Sequence, residues 1–234
     1  MNSVLPSDLL SDARQSAGLK AINRHGLAEE AYEAIFAQLM ALKIAPGSRI
    51  TVDNLARELN VSQTPIREAL GRLEGEGLVV KTHLIGYSAA PQIARRRFDE
   101  LYDLRLQLEP EAAQRAARTM DAPRLAVLRE VAGVMSRRSG DEQYRYSTFA
   151  RFDAIFHDRI LEFGGNELIR QTLAHQHTHF HIFRLMFHSR VTEEALDEHE
   201  ALLVTFEAGD AKAAKRAMRD HIERSRDRLL PAFE

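Results

Sequence analysis

The chain has no cysteine, which excludes disulfides and any metal site built on thiolates. It has no apolar run of membrane-spanning length, and its first residues lack the charged start and apolar core of a signal peptide. The expected compartment is therefore the cytoplasm. A surplus of positive charge is missing too. The formal net charge is −2, and between Lys20 and Ala90 eight basic residues face eight acidic ones. A basic domain is the usual electrostatic footprint of a nucleic-acid binder. Any case for DNA must come from a motif and from the local cluster Arg67, Arg72, Lys81 and His83. There is no internal repeat and no low-complexity segment. What is present is ordinary for a globular protein: 44% hydrophobic and 28% charged residues in a chain of 234, enough for two modest domains.

The most informative stretch runs from Ser62 to Val79. Ser62 is a candidate N-cap, and Pro65 falls in the first helical turn, where a missing N–H costs nothing. Ile66, Leu70 and Leu73 recur at helical spacing and form one apolar face. Gln63, Thr64 and Arg67 lie off that face near the helix start, and Gly75 and Gly77 end the helix. A short helix with a polar, Arg-bearing N-terminal end is the form taken by a helix that reads the major groove. Before it, Thr51 to Leu59 reads as another short helix capped by Thr51, and Asn60-Val61 as a tight turn, which together make a helix-turn-helix. After it, Leu78 to Ser88 holds two short apolar runs around a polar turn, the pattern of a β-hairpin wing. Leu27 to Lys43, with Ala31, Ile35, Leu39 and Leu42 inward, is expected to be the first helix.

These residues resemble a known family. Ile44-Ala-Pro-Gly-Ser-Arg-Ile50, Leu55-Ala, Val61-Ser-Gln-Thr-Pro-Ile-Arg-Glu-Ala-Leu70 and Leu73-Glu-Gly-Glu-Gly-Leu78 are similar to the DNA-binding domain of GntR-type bacterial transcription regulators. The resemblance runs without a gap from about Ala28 to Ala89. It implies a double-stranded DNA operator contacted by Ser62, Gln63, Thr64, Arg67 and Arg72, with Gly86 letting the wing approach the backbone. Many relatives carry Arg where this chain has Gln63. Glutamine prefers the adenine edge and arginine the guanine edge, so the operator is expected to differ at that base.

The expected organisation is a mobile arm over 1–25, the winged helix-turn-helix over 26–90, a linker over 91–97 marked by Pro91, and a helical domain over 98–234. Arg95-Arg96-Arg97 opens the next helix, as a solvated charge run or a phosphate contact. Six helices are expected beyond it: Phe98 to Met120; from the Asp121-Ala-Pro123 cap to about Gly140; Glu142 to Phe163, stopped by Gly164-Gly165; Glu167 to about His188; Thr192 to Ala208; and Asp210 to Leu230. With short connections and no strand signal, they make an antiparallel bundle. The expected fold class is mainly α, a winged helix-turn-helix followed by an all-α six-helix bundle.

Four residues of that bundle could hold a metal ion. Asp153 and His157 stand at i and i+4 on one helix, where both side chains can reach one ion. His199 lies ten residues before Gly209 and His221 twelve after it. On antiparallel helices rising about 1.5 Å per residue they reach nearly the same height, with both imidazoles facing the core. The alternative is four unrelated side chains, two of them hydrogen-bonded core histidines. Arg105 falls within about 40° of Leu101 on an apolar stripe, and an inward arginine needs an anionic partner: an effector, or an internal glutamate such as Glu109 or Glu111. Arg184 is a weaker case of the same kind. The string His175-Gln-His177-Thr-His179-Phe-His181 cannot converge on one ion along a helix, because i and i+2 face apart. Helical phasing turns only His177 clearly inward, toward the effector, and leaves the other three as surface or packing residues.

A second resemblance covers this half. Phe152-Asp-Ala-Ile-Phe-His157, Gly165-Asn166 and Glu198-His-Glu-Ala-Leu, followed by Gly209-Asp and Met218-Arg-Asp-His221-Ile, are similar to the FCD effector domain, which follows the GntR-type head in the FadR-like subgroup. Its metal-binding members use one Asp and three His, a set that maps onto Asp153, His157, His199 and His221. The fatty-acid-binding branch lacks this set, so a long-chain acyl ligand is disfavoured. Such ligands suit Zn²⁺, Ni²⁺, Fe²⁺ or Mn²⁺ and leave positions open for a carboxylate, in line with the organic acids that many FCD regulators sense. The expected function is a homodimeric DNA-binding transcription regulator on a palindromic operator, controlled by a small organic acid bound at the metal and Arg105. The alternative is a metal-dependent hydrolase or lyase with a DNA-binding head. No glutamate stands at a fixed offset from the ligands to serve it as general base, since Glu198 and Glu200 diverge from His199.

Overall fold

The computed structural model describes residues 24–137, 140–187 and 189–234. Apart from Arg24 and His25, the expected arm over 1–25 lies outside the described residues. The head begins with α1 (Arg24–Met40), followed by β1 (Arg49–Ile50), α2 (Val52–Glu58), α3 (Gln63–Gly75), β2 (Val79–Thr82) and β3 (Gly86–Ala89). Ile35, Phe36 and Leu39 of α1 close over Leu55 of α2 and over Ile66, Leu70 and Leu73 of α3, all buried. The apolar face read from α3 is thus the face it buries.

Three turns shape the head, and they share one geometry. Asn60 and Gly77 follow α2 and α3 with φ of 53° and 70°. In each case the next N–H reaches back five residues, from Val61 to Ala56 O at 3.0 Å and from Leu78 to Leu73 O at 2.9 Å. This closure suits Asn and Gly, which tolerate left-handed backbone. After α1 the same closure uses Leu42, at φ 57°, with Lys43 N bonding Gln38 O at 2.9 Å. The first helix therefore stops at Met40, short of the expected Lys43, and Leu42 is only half-buried. Thr51 and Ser62 occupy N-cap positions with extended backbone, yet neither hydroxyl makes the capping bond expected of it.

The wing has one strand more than expected. Strand β3 is central: β1 pairs through Arg49 with Ser88 and Ile50 with Tyr87, and β2 pairs from Val79 with Ala89 to Thr82 with Gly86. A two-residue strand gives no periodic signal, so β1 was not legible.

The second half is all helix: α4 (Arg95–Arg118), α5 (Ala122–Met135), α6 (Glu142–Phe163), α7 (Glu167–Ala174), α8 (Thr178–Phe183), α9 (Ser189–Glu207), α10 (Ala211–Leu229) and a short 3₁₀ turn (Leu230–Phe233). Asp121, Asp141, Asn166 and Asp210 cap α5, α6, α7 and α10 with side-chain bonds to backbone N–H groups. Helix α10 packs along α4, α5 on α6, and α9 on α10. One expected helix is divided. His177 takes a left-handed conformation, φ 46° and ψ 35°, and separates α7 from α8. The Arg95-Arg96-Arg97 run makes surface pairs, Arg95 with Asp99 and Arg96 with Glu100, as a solvated charge run does.

The two halves meet where α1 packs on α6. Phe36 lies edge-on to Phe180 at 5.2 Å, and the Arg151 guanidinium sits 4.9 Å from the Tyr32 ring and 4.8 Å from the Phe36 ring. Arg151 also pairs with Glu33. Beside this contact, Gln92 donates to Arg184 O at 2.8 Å, and Arg184 Nη2 to Ala90 O at 2.7 Å.

Gly164, the C-cap of α6, packs tightly on α4. A Cβ there would meet Ala112 O at 2.9 Å and Ala112 Cα and Cβ at 3.1 Å. Gly164→Ala is expected to destabilise the protein by about 1–3 kcal/mol through overpacking, lowering the thermal midpoint by several degrees. Gly26→Ala, where nothing lies within 4 Å, is the matched control in the same melts.

Candidate functional site

The bundle encloses a group of charged and imidazole side chains. Asp153 and His157 come from α6, His199 from α9 and His221 from α10, and all four are buried. His157, His199 and His221 each present a ring nitrogen within 4.8 Å of the others. His157 Nε2 faces His221 Nε2 at 3.2 Å, and His199 Nε2 lies 3.2 Å from Asp153 Oδ1. Phe149 and Phe156 cover His199 from the apolar side. The structure thus brings together the four residues singled out from the sequence.

What fixes these rings was not legible. His157 Nδ1 meets Glu109 Oε2 at 2.6 Å, and Arg105 Nε donates to the other Glu109 oxygen at 2.6 Å. On the far side His221 Nδ1 meets Glu198 Oε2 at 2.8 Å, and Arg228 donates to both Glu198 oxygens, at 2.6 and 2.9 Å. Burial alone would raise both glutamates. For Glu109 the charge of Arg105, with the hydrogen bonds from Arg105 and His157, outweighs it, leaving the carboxyl far below its ordinary range. For Glu198 the contacts with His221 and Arg228 bring it down to about 2. Both are anions, so the imidazole nitrogens against them carry the protons. The lone pairs of His157 and His221 then sit on the Nε2 atoms, which face each other.

Asp153 is also ionised, because its contacts with His199, His157 and His179 outweigh the effect of burial. Burial lowers His199 and pushes His221 down to about 3, the neutral form a metal ligand requires. His199 Nδ1 has no hydrogen-bond partner among the described residues, and its Nε2 has only the 3.2 Å contact with Asp153 Oδ1. A buried imidazole with an unmet nitrogen is costly unless something else satisfies it. Two converging lone pairs, a carboxylate and an unsatisfied imidazole form a donor set that fits a divalent cation, with the outer carboxylates orienting the rings as metal sites require.

Other expected residues are placed differently. Arg105 is committed to Glu109, the internal partner weighed for it, and does not line the adjoining cavity. Arg184 lies at the linker, bonded to Ala90 O. His177 lines the cavity, as its inward phase implied. His179 departs from expectation. The break at His177 resets the helical phase and turns His179 toward the site, its Nε2 3.8 Å from Asp153 Oδ2. Glu109, His157 and His179 make a second donor group. It competes poorly, because the His157 nitrogen on that side carries a proton and Glu109 is already bonded to Arg105.

On the head, Thr64 and Arg67 are exposed near the start of α3. Gln63 is held between helices: it donates to Asp53 at 2.5 Å and accepts from Arg67 at 3.1 Å. Gly86, at φ 112° with nothing within 4 Å of a Cβ, keeps the wing tip slim. Arg72, further along α3, is half exposed and has contacts within the head. Its guanidinium lies 4.0 Å over the Tyr32 ring and pairs with Glu29 at 2.5 Å, internal contacts that hold α3 to α1.

Two family models match the chain: "Bacterial regulatory proteins, gntR family" over residues 27–86, and the FCD domain over residues 100–224. The HTH-type transcriptional regulator YdhC of Bacillus subtilis is 26% identical over 193 residues, covering 81% of this chain and 84% of that protein. The Nta operon transcriptional regulator of Aminobacter aminovorans is 34% identical over 128 residues, 55% of this chain and 59% of that protein. Among solved structures, Escherichia coli McbR/YncC gives a TM-score of 0.62 at 21% identity, covering 89% of this chain and 99% of that one, a likeness of fold. These models and named relatives describe transcriptional regulators, not enzymes.

The Arg105–Glu109 pair can be tested through stability. Glu109→Leu leaves Arg105 as a buried, uncompensated charge and is expected to cost about 3–5 kcal/mol in urea unfolding. Adding Arg105→Leu to that variant should recover most of the loss, because the uncompensated charge is then gone.

Proposed function

Since the chain belongs to the gntR family of bacterial transcription regulators and carries an FCD effector domain, we propose that a divalent metal held by Asp153, His157, His199 and His221 receives a small carboxylate effector, and that this acid sets the affinity for DNA. The observation that carries the reading is the 3.2 Å approach of His157 and His221 through their Nε2 atoms, each ring oriented from behind by a carboxylate. Zn²⁺, Ni²⁺, Fe²⁺ and Mn²⁺ all accept such donors, and when bound the ion supplies a Lewis-acidic position for the acid's oxygens. The acid's approach on this reading is the cavity of about 540 Å³ lined by His177 and, of the four ligands, by His157. Arg105 acts from behind Glu109 and does not meet the acid.

The reading places the protein in the cytoplasm as a homodimer, because one reading helix spans only a few base pairs and a palindromic operator presents two half-sites. Ser62, Gln63, Thr64 and Arg67 would meet bases and phosphates, with Gly86 at the wing. Coupling follows if the acid binds the two arrangements of the heads with different affinity. An enzymatic role for the same metal lacks a base: both Glu198 oxygens are taken by Arg228 and His221.

Elemental analysis of the purified protein beside His199→Ala tests the site. About one metal per chain, lost in the variant, is the expected result. No metal in either, even after incubation with Zn²⁺, Ni²⁺ and Mn²⁺, would reduce the histidines to core residues. Once an operator is in hand, Gln63→Arg should shift the preferred base at one position per half-site from adenine to guanine by about 1–3 kcal/mol in gel-shift competition. An unchanged preference would remove Gln63 from the reading set.

A further inference from the structure

We infer that Arg151 binds a second anionic group of the effector, so that the acid this protein answers to is a dicarboxylate; the inference rests on the metal–carboxylate reading above. One cavity, about 540 Å³ in volume, carries the argument. Its wall includes His157, Glu109 and His179 at the edge of the donor cluster, and also Arg151 and Glu76 at the contact between the two halves. Arg151 and His157 stand six residues apart on α6, about 9 Å along its axis. A molecule reaching both must be longer than a single carboxylate.

Arg151 has a donor to offer. Its Nη2 is buried and has no hydrogen-bond partner among the described residues. The acidic groups of the same wall are already engaged: Glu109 by Arg105 and His157, Asp158 by a two-pronged pair with Arg170 at 2.7 and 2.9 Å, and Glu76 by the Tyr32 hydroxyl at 2.8 Å. Arg159 faces Glu162. Arg151 is thus a cation on the cavity wall, its guanidinium held over the Tyr32 and Phe36 rings, with one donor that no acceptor meets and a planar fork that suits carboxylate. An anion there also competes with Glu33, the tie between Arg151 and α1.

The test is titration calorimetry on the full-length, Zn²⁺-loaded protein with matched pairs of acids: butyrate against succinate, valerate against glutarate, hexanoate against adipate. At least one diacid is expected to bind tenfold or more tightly than its monoacid. Arg151→Gln should erase that preference while leaving the monoacid within about twofold. Arg151→Lys keeps the charge and the Glu33 pair, and should retain part of the preference; it serves if the Gln variant fails to fold. Equal binding of both classes by the metal-loaded protein, or a preference that survives Arg151→Gln, overturns the role of Arg151 and leaves the metal reading standing. Diacid binding that needs Arg151 but persists in the metal-free protein supports Arg151 and overturns the metal reading. No binding of either class overturns both.

Discussion

Two imidazole nitrogens face each other at 3.2 Å in the interior of this bundle, and most of the charge around them exists to hold them there. Each ring is pinned through its other nitrogen by a glutamate, and each glutamate is balanced by an arginine. The result is a chain of paired side chains from Arg105 through Glu109, His157, His221 and Glu198 to Arg228, linking α4, α6, α10 and α9. Burying this many charges costs more than an apolar core of the same volume, so stability alone does not account for it. What the chain secures is orientation. It sets the tautomers, points the remaining lone pairs inward, and leaves His199 and Asp153 to complete a donor set.

The same helix that carries Asp153 and His157 carries Arg151, two residues earlier and on the side that meets the head. Tyr32 of α1 is the node of that contact. The Arg72 guanidinium lies 4.0 Å from its ring and that of Arg151 4.9 Å, while its hydroxyl donates to Glu76 just past the end of α3. The ring thus touches the reading helix at one edge and the effector half at the other. Gly77 adds a second contact: a Cβ there would stand 3.4 Å from the His181 ring, next to the αL break at His177. The head is seated against the bundle through these aromatic and guanidinium contacts, within an apolar cluster that runs on from α1 to α6.

Much of this was readable from residue order because it follows from periodicity. The apolar face of α3, the hairpin of α9 and α10 and the level of His199 with His221 all depend on spacing, and spacing is what a sequence records. The parts that were not readable depend on single dihedrals or on distant partners. A leucine at 42 in left-handed backbone carries no local signal, and a histidine at 177 only a weak one, since such positions are uncommon for any residue but glycine. The second of these resets the phase of the following helix, so His179, read as a surface or packing residue, turns toward Asp153. Glu109 was named only as one of two partners for Arg105, and its bond to His157, 48 residues away, has no sequence signature. Arg72 is another case of distant partners: its contacts with Tyr32 and Glu29, on a helix some forty residues earlier, have no sequence signature.

These placements constrain how an acid in the cavity could affect DNA. Contact with the donor cluster alone would perturb side chains already fixed by the glutamate–arginine pairs behind them, and a rigid network transmits a preference only if it has two arrangements. The contact around Arg151 is better suited to that. Its pair with Glu33 is partly exposed, and its Nη2 has an unmet hydrogen bond. Exchanging the Glu33 carboxylate for a ligand carboxylate costs little electrostatically, because one anion replaces another at the same guanidinium. It nonetheless frees α1 from one of its ties to α6. By linkage, whatever weakens that tie on binding the acid must be opposed to the same degree when DNA holds the heads in the tied arrangement.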